Sequence, residues 1–87
     1  MQYVARLVHM PWGEQRRSQV LDVVDGKVLS VSPFQVESQS MNFVEEVYVT
    51  SYDTAVVASD IKMELHHSGG ALYAYSLGDE GLLSRLL

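Results

Sequence analysis

Cysteine is absent from the 87 residues of this chain. Neither a disulfide nor a thiolate-bound metal can therefore supplement the core. This absence fits a reducing compartment. The start of the chain, residues 1–6, has no charged leader before an apolar run, and Arg6 interrupts its apolar stretch early. Together these features predict a cytoplasmic location.

Basic residues are also scarce. Six Lys and Arg stand against 11 Asp and Glu, which gives a formal net charge of -5. A nucleic acid or an anionic membrane surface binds to a concentrated basic patch, and the pair Arg16-Arg17 is too small to be one. No window approaches the ~18 uninterrupted apolar residues that span a bilayer. We therefore predict no nucleic-acid partner and no membrane partner.

The composition itself is that of an ordinary globular domain, with 47% hydrophobic and 20% charged residues. A chain of this length buries roughly 60–65% of its unfolded surface, which allows one modest core. We therefore predict a single domain, residues 1–87, with little stability to spare.

The strongest local pattern is an Asp-Gly pair between two apolar arms. Asp25-Gly26 supplies the positive backbone angles of a tight two-residue turn, and Val and Leu dominate residues 19–24 and 27–32 on either side. This pattern predicts an antiparallel hairpin with a type I′ or related turn.

Alternation of apolar and polar residues predicts the other strands. Pro11 and Gly13 break the first one, and residues 35–42 form the longest, polar connection. The type of residues 55–58 is left open. The predicted strands are residues 2–10, 16–24, 27–33, 43–51, 61–67 and 72–77.

The end of the chain has a different pattern. Asp79 is a suitable helix cap and Glu80 suits the first turn, while the following leucines fall on one helical face. Such a short helix must dock against something. It either covers an open end of this domain's own sheet or meets a second chain. The leucines are Leu82, Leu83, Leu86 and Leu87.

These elements together predict a mainly β fold. We expect a small antiparallel β-sandwich or partly open barrel of about six strands, with a short C-terminal helix.

Histidines and carboxylate pairs are the candidates for chemistry. Adjacent strand residues point to opposite faces, so His66 and His67 cannot easily share a metal, and a metal site needs three or four converging ligands. The pairs Glu45-Glu46 and Asp79-Glu80 have no pocket in which to converge. We therefore predict no catalytic, cofactor-binding or metal-binding residues. Trp12, beside Pro11 at a turn, is either an interaction point or packing over a sheet end.

The first 34 residues resemble a known family. Ala5-Arg6-Leu7-Val8, then Gly13-Glu14, then the run from Val20 through Asp25-Gly26 to Phe34 are similar to the opening of metal-dependent amidohydrolases. In that family this run belongs to a small composite β domain beside a catalytic barrel. The barrel cannot fit here, and His66-His67 is not its His-x-His motif. The resemblance implies the accessory domain without the enzyme, and no metal or catalytic residue is carried over.

We therefore predict a non-catalytic structural or protein-interaction domain, with a homodimer or another protein as its partner. The dimer prediction depends on the small core, the open strand edges and the leucines of the tail. The alternative is a small ligand- or metal-binding module that uses His9, His66 or His67 near Trp12, or a non-catalytic fragment or subunit of a hydrolase. An enzyme is the third hypothesis, and no cofactor is expected.

Overall fold

The computed structural model describes residues 1–35, 41–62 and 70–87, and these residues form a mainly β structure, as predicted. Single 3-10 turns cover Ala58–Asp60 and Asp79–Gly81. The described strands are β1 (Gln2–His9), β2 (Gln15–Val24), β3 (Lys27–Pro33), β4 (Met41–Thr50), β5 (Tyr73–Leu77) and β6 (Leu83–Arg85).

These strands belong to one sheet in the order β3-β2-β1-β4-β5-β6. The sheet curls until β3 also meets β5, where Lys27 is the register partner of Tyr73. Beside that pair, the N–H of Val28 donates to the carbonyl of Leu72 at 2.8 Å. Five strands thus form a ring, and β6 continues from β5. This arrangement is closer to the predicted partly open barrel than to two stacked sheets.

The Asp-Gly hairpin is confirmed. Asp25 and Gly26 both have positive φ, 54° and 77°, as a type I′ turn requires, and they join the register partners Val24 and Lys27. The register shifts between Asp22 and Val23, and Leu29 has no register partner there. That irregularity leaves Leu29 largely exposed.

The sheet is antiparallel in large part, and the exception is the pair of β1 and β4, which run parallel. Strand β3 ends with Pro33 beside Gln19, which is itself opposite Ala5 in the middle of β1. Strand β4 begins with Met41 beside Gln2, at the start of β1. Strand β4 therefore begins level with the start of β1, although β3 ends level with its middle, and a parallel pair needs a crossover of this kind.

The short helix expected after Gly78 is not confirmed. Glu80 and Gly81 have φ of 59° and 76°, which no right-handed helix contains, so no helix continues through this segment. The next residues pair with β5 as strand β6. The four leucines therefore do not share a face. Leu86 is buried in the core and its N–H bonds the carbonyl of Ala74, whereas Leu82 and Leu87 are 50% and 71% exposed.

The core fills the inside of the ring. The residues of β1 and β4 that face it do not all lie on the single strand face that alternation predicts. Ala5 and Val8 both belong to it, although residues three apart lie on opposite faces of a regular strand. On β4, Val47 belongs to the core, and Val44, three residues before it, is partly buried and packs against the core. The inward face must therefore switch between these residues on both strands. On β2, Ser18 has a positive φ of 52° at the same level.

Some of the remaining predictions from the sequence fall on described residues, and others do not. Strand β5 confirms the prediction for residues 72–77. Of the strand predicted over 61–67, Ile61 and Lys62 are described and are not in a strand. The rest of that segment, with His66 and His67, lies outside the described residues. Within the described ranges, no helix has the length and apolar character needed to cross a membrane.

Candidate interaction site

Two cavities lie along the β1–β4 pair, one on each side of the face switch. Before the switch, Ala5 and Val44 point inward, so their neighbours Val4 and Phe43 point outward. After it, Val8 and Val47 point inward, and the register partners His9 and Tyr48 point outward. The same face thus carries one cavity at each end, and the second is lined by both polar and apolar residues.

The cavity before the switch is an open groove of about 410 Å³. We call it the β1–β4 groove. Its apolar walls come from β1, β4 and the residue that follows β3. Phe43 is 63% exposed there, and Phe34 is half-buried, with its N–H bonded to the carbonyl of Ser18 at 2.8 Å. These walls are Val4, Ala5, Phe34, Phe43 and Val44.

The rim of the groove carries one opposite-charge pair. Parallel pairing of β1 with β4 sets Arg6 beside Glu45, and Nε of Arg6 donates to Oε2 of Glu45 at 2.6 Å. The two side chains are 73% and 74% exposed. An exposed pair of this kind contributes about 0–1 kcal/mol to folding. Both groups therefore stay available to a partner at little cost to the fold.

The cavity after the switch is smaller, about 140 Å³, and is lined in part by His9, Tyr48 and Lys62. The His9 ring stacks on the Tyr48 ring, with centroids 4.3 Å apart. Nε2 of His9 bonds the Glu46 carboxylate, and Nδ1 faces the side-chain amide of Gln15 at 3.4 Å. A neutral imidazole with its proton on Nε2 satisfies both contacts.

These contacts leave His9 poorly suited to bind a metal. A metal would need a ring nitrogen, and both nitrogens already face protein groups. Burial, and then the nearby Glu46 carboxylate, raise the pKa of Tyr48, so its hydroxyl stays protonated near neutral pH. Among the described residues, no three His, Asp or Glu converge on a point where a metal could sit. The His9 contacts are therefore best explained as packing.

The other candidates from the sequence lie apart. Trp12 is in the β1–β2 turn, where its indole N–H donates to Glu14 at 3.0 Å, and it does not line the His9 cavity. The hydrogen bond from Arg16, and then that from Trp12, lower the pKa of Glu14. Glu45 and Glu46 diverge, one to the groove rim and the other to His9. Asp79 lies in the exposed 3-10 turn.

Sequence reasoning missed the groove and its rim pair. Phe34 and Phe43 belong to different segments, and their approach depends on the crossover that places β4 beside β1. One signal was available: alternation places Phe43 on the face of Glu45, and a carboxylate normally marks the solvent side of a strand. An aromatic residue on that face is the signal that could have pointed to the groove.

Comparison with known proteins finds no match to this chain among protein-family models, curated proteins or solved structures. The similarity of the first 34 residues to the accessory β domain of amidohydrolases therefore stays a prediction.

Proposed function

We propose that this chain is a non-catalytic protein-interaction domain whose β1–β4 groove is covered by a second copy of the chain. The observation that carries the proposal is the 63% exposure of Phe43 at the wall of an apolar groove. Removing apolar surface from water contributes roughly 25 cal/mol per Å². Aromatic residues are enriched among those that dominate binding energy at interfaces.

A second copy suits this surface because each copy carries both the apolar groove and an exposed Phe43 at its wall. In a two-fold dimer the same patch must contact itself. Phe43 stands at the wall of a groove of about 410 Å³. A two-fold axis beside the groove brings each Phe43 over the groove of the other copy, where it packs against the half-buried Phe34. Each copy thus contributes both an inserted Phe43 ring and the groove that the other ring enters.

The sequence suggested the tail leucines as the dimer surface, and the structure gives that location less support than the groove. Leu86 lies in the domain's own core and cannot also serve a partner without unfolding the ring. Leu82 and Leu87 remain exposed. They lie next to β6, and neither lines the groove.

Sedimentation velocity at tens to hundreds of micromolar tests the proposal. The wild-type chain is expected to sediment at twice its 9.7 kDa mass, and Phe43→Ser as the monomer. Leu29→Ser is the matched control, because Leu29 is 64% exposed but lies in the β2–β3 hairpin. A wild-type monomer contradicts the proposal. A dimer lost in Leu87→Ser but kept in Phe43→Ser places the interface at the tail instead.

The ligand- and metal-binding alternative has less support, because His9 is held by Glu46 and Gln15. The remaining elements of this proposal come from the sequence. The acidic composition favours a protein partner over a nucleic acid, and a cytoplasmic location stays a prediction.

A further inference from the structure

We propose that Arg6 and Glu45 exchange partners in the dimer, so that each Arg6 binds Glu45 of the other copy. This inference rests on the proposed self-association through the β1–β4 groove. It adds the contacts that set the register of the two copies.

The pair is free to make this exchange. Within one chain, the contact uses Nε of Arg6, and neither of its Nη groups has a hydrogen bond to a described residue. A guanidinium has five N–H donors and binds carboxylates in a two-pronged geometry. Arg6 can therefore accept a second carboxylate, or trade its own for that of the other copy.

Two-fold symmetry makes an adjacent pair of opposite charges self-complementary. The two-fold axis reverses the direction of the rim, so Arg6 of each copy faces Glu45 of the other. The dimer therefore contains two such pairs. The overall charge makes such contacts important. Each chain carries a net charge of -5, so two copies repel at long range. The rim is neutral, because Arg6, one of the six basic residues, balances the charge of Glu45. Contact through this rim therefore limits the repulsion.

Reversal of each charge tests the exchange. Arg6→Glu gives two carboxylates on the rim, and Glu45→Arg gives two cations, so neither variant can pair with itself. Each is expected to raise the dimer dissociation constant by about tenfold or more. A mixture of the two variants is expected to form a heterodimer, because every carboxylate then faces a cation. The chain with both changes is expected to dimerise like the wild type.

A control separates this local effect from net charge. Glu45→Arg makes the chain less acidic, so general repulsion alone would strengthen its dimer, whereas the exchange predicts a weaker one. Asp79→Arg makes the same change of charge in the exposed 3-10 turn and is expected to leave the dimer intact or slightly tighter. Circular dichroism of each variant checks that it is folded.

Sedimentation of the separate and mixed variants gives the decisive result. A wild-type dimer whose single variants dimerise equally well, or whose mixture forms no heterodimer, overturns the exchange and leaves the groove as the interface. A wild-type monomer overturns both the exchange and the proposed function.

Discussion

Substitution of Gly26 by alanine disturbs two features of the hairpin turn at once. Gly26 has a φ of +77°, and a Cβ there would lie 2.9 Å from both Nε and Nη2 of Arg85. The Arg85 guanidinium lies 4.5 Å from the centroid of the Tyr73 ring. It also donates from Nη1 to the carbonyl of Asp53 at 3.1 Å. The added methyl group must displace that guanidinium.

The expected cost follows from these contacts. Left-handed backbone costs a non-glycine residue about 1–2 kcal/mol. Moving the guanidinium weakens a cation–π contact worth about 0.5–1 kcal/mol at an exposed site. It also weakens a hydrogen bond worth about 0.5–1.5 kcal/mol. Because Arg85 is exposed, water replaces part of this loss. We therefore expect Gly26→Ala to lower the free energy of unfolding by about 2–3 kcal/mol.

Gly81 provides a matched control for the backbone part. Its φ is +76°, and a Cβ there would have no heavy atom within 4 Å, so Gly81→Ala should cost about 1–2 kcal/mol. Urea unfolding measures both variants. In an Arg85→Ala background the cost of Gly26→Ala should fall to that of Gly81→Ala. Equal costs in the wild-type background would refute the argument that Arg85 packs over the turn.

Three further predictions concern the core and its pH dependence. Tyr75→Phe should lower the unfolding free energy by about 1 kcal/mol in urea, because the buried hydroxyl loses its 2.7 Å bond to the carbonyl of Tyr52. Burial raises the pKa of Tyr75, so its contribution to stability is complete below pH about 10 and is lost as the pH rises through that raised pKa. Urea midpoints from pH 9 to 12 should therefore fall less steeply in Tyr75→Phe than in the wild type, and parallel curves would contradict this. Leu86→Ala should cost about 2–5 kcal/mol by thermal or urea unfolding, as expected for a core leucine, and a loss below ~1 kcal/mol would place Leu86 outside the core.

Local features of this fold could be predicted from the sequence. Asp25-Gly26 specifies its turn through its own backbone preferences, and the flanking arms need only each other to pair. The strand ending at Leu77 and the turn around Gly13 are local in the same sense.

Non-local features could not be predicted. The parallel pairing of β1 with β4 depends on where the chain re-enters the sheet at Met41, which no alternating pattern records. The leucines after Gly81 fit a helical period, but the positive φ of Glu80 excludes a helix there. Pairing with β5 makes the segment a strand.

The candidate site could not be predicted either, because it depends on a change of inward face as well as on the parallel pairing. Alternation assumes one inward face along a whole strand, whereas β1 and β4 change faces beside Arg6 and Glu45. That change, with the crossover, brings Phe34 and Phe43 to one groove.

Dilution of the ¹⁵N-labelled wild-type chain, followed by amide chemical shifts, tests the central claim most directly. If a second copy covers the β1–β4 groove, lowering the concentration from millimolar to micromolar should shift amides at residues 4–6, 34 and 43–45. The amides around Leu29 and Leu87 should stay in place. Spectra that do not change with concentration, or shifts confined to the tail, would contradict the account.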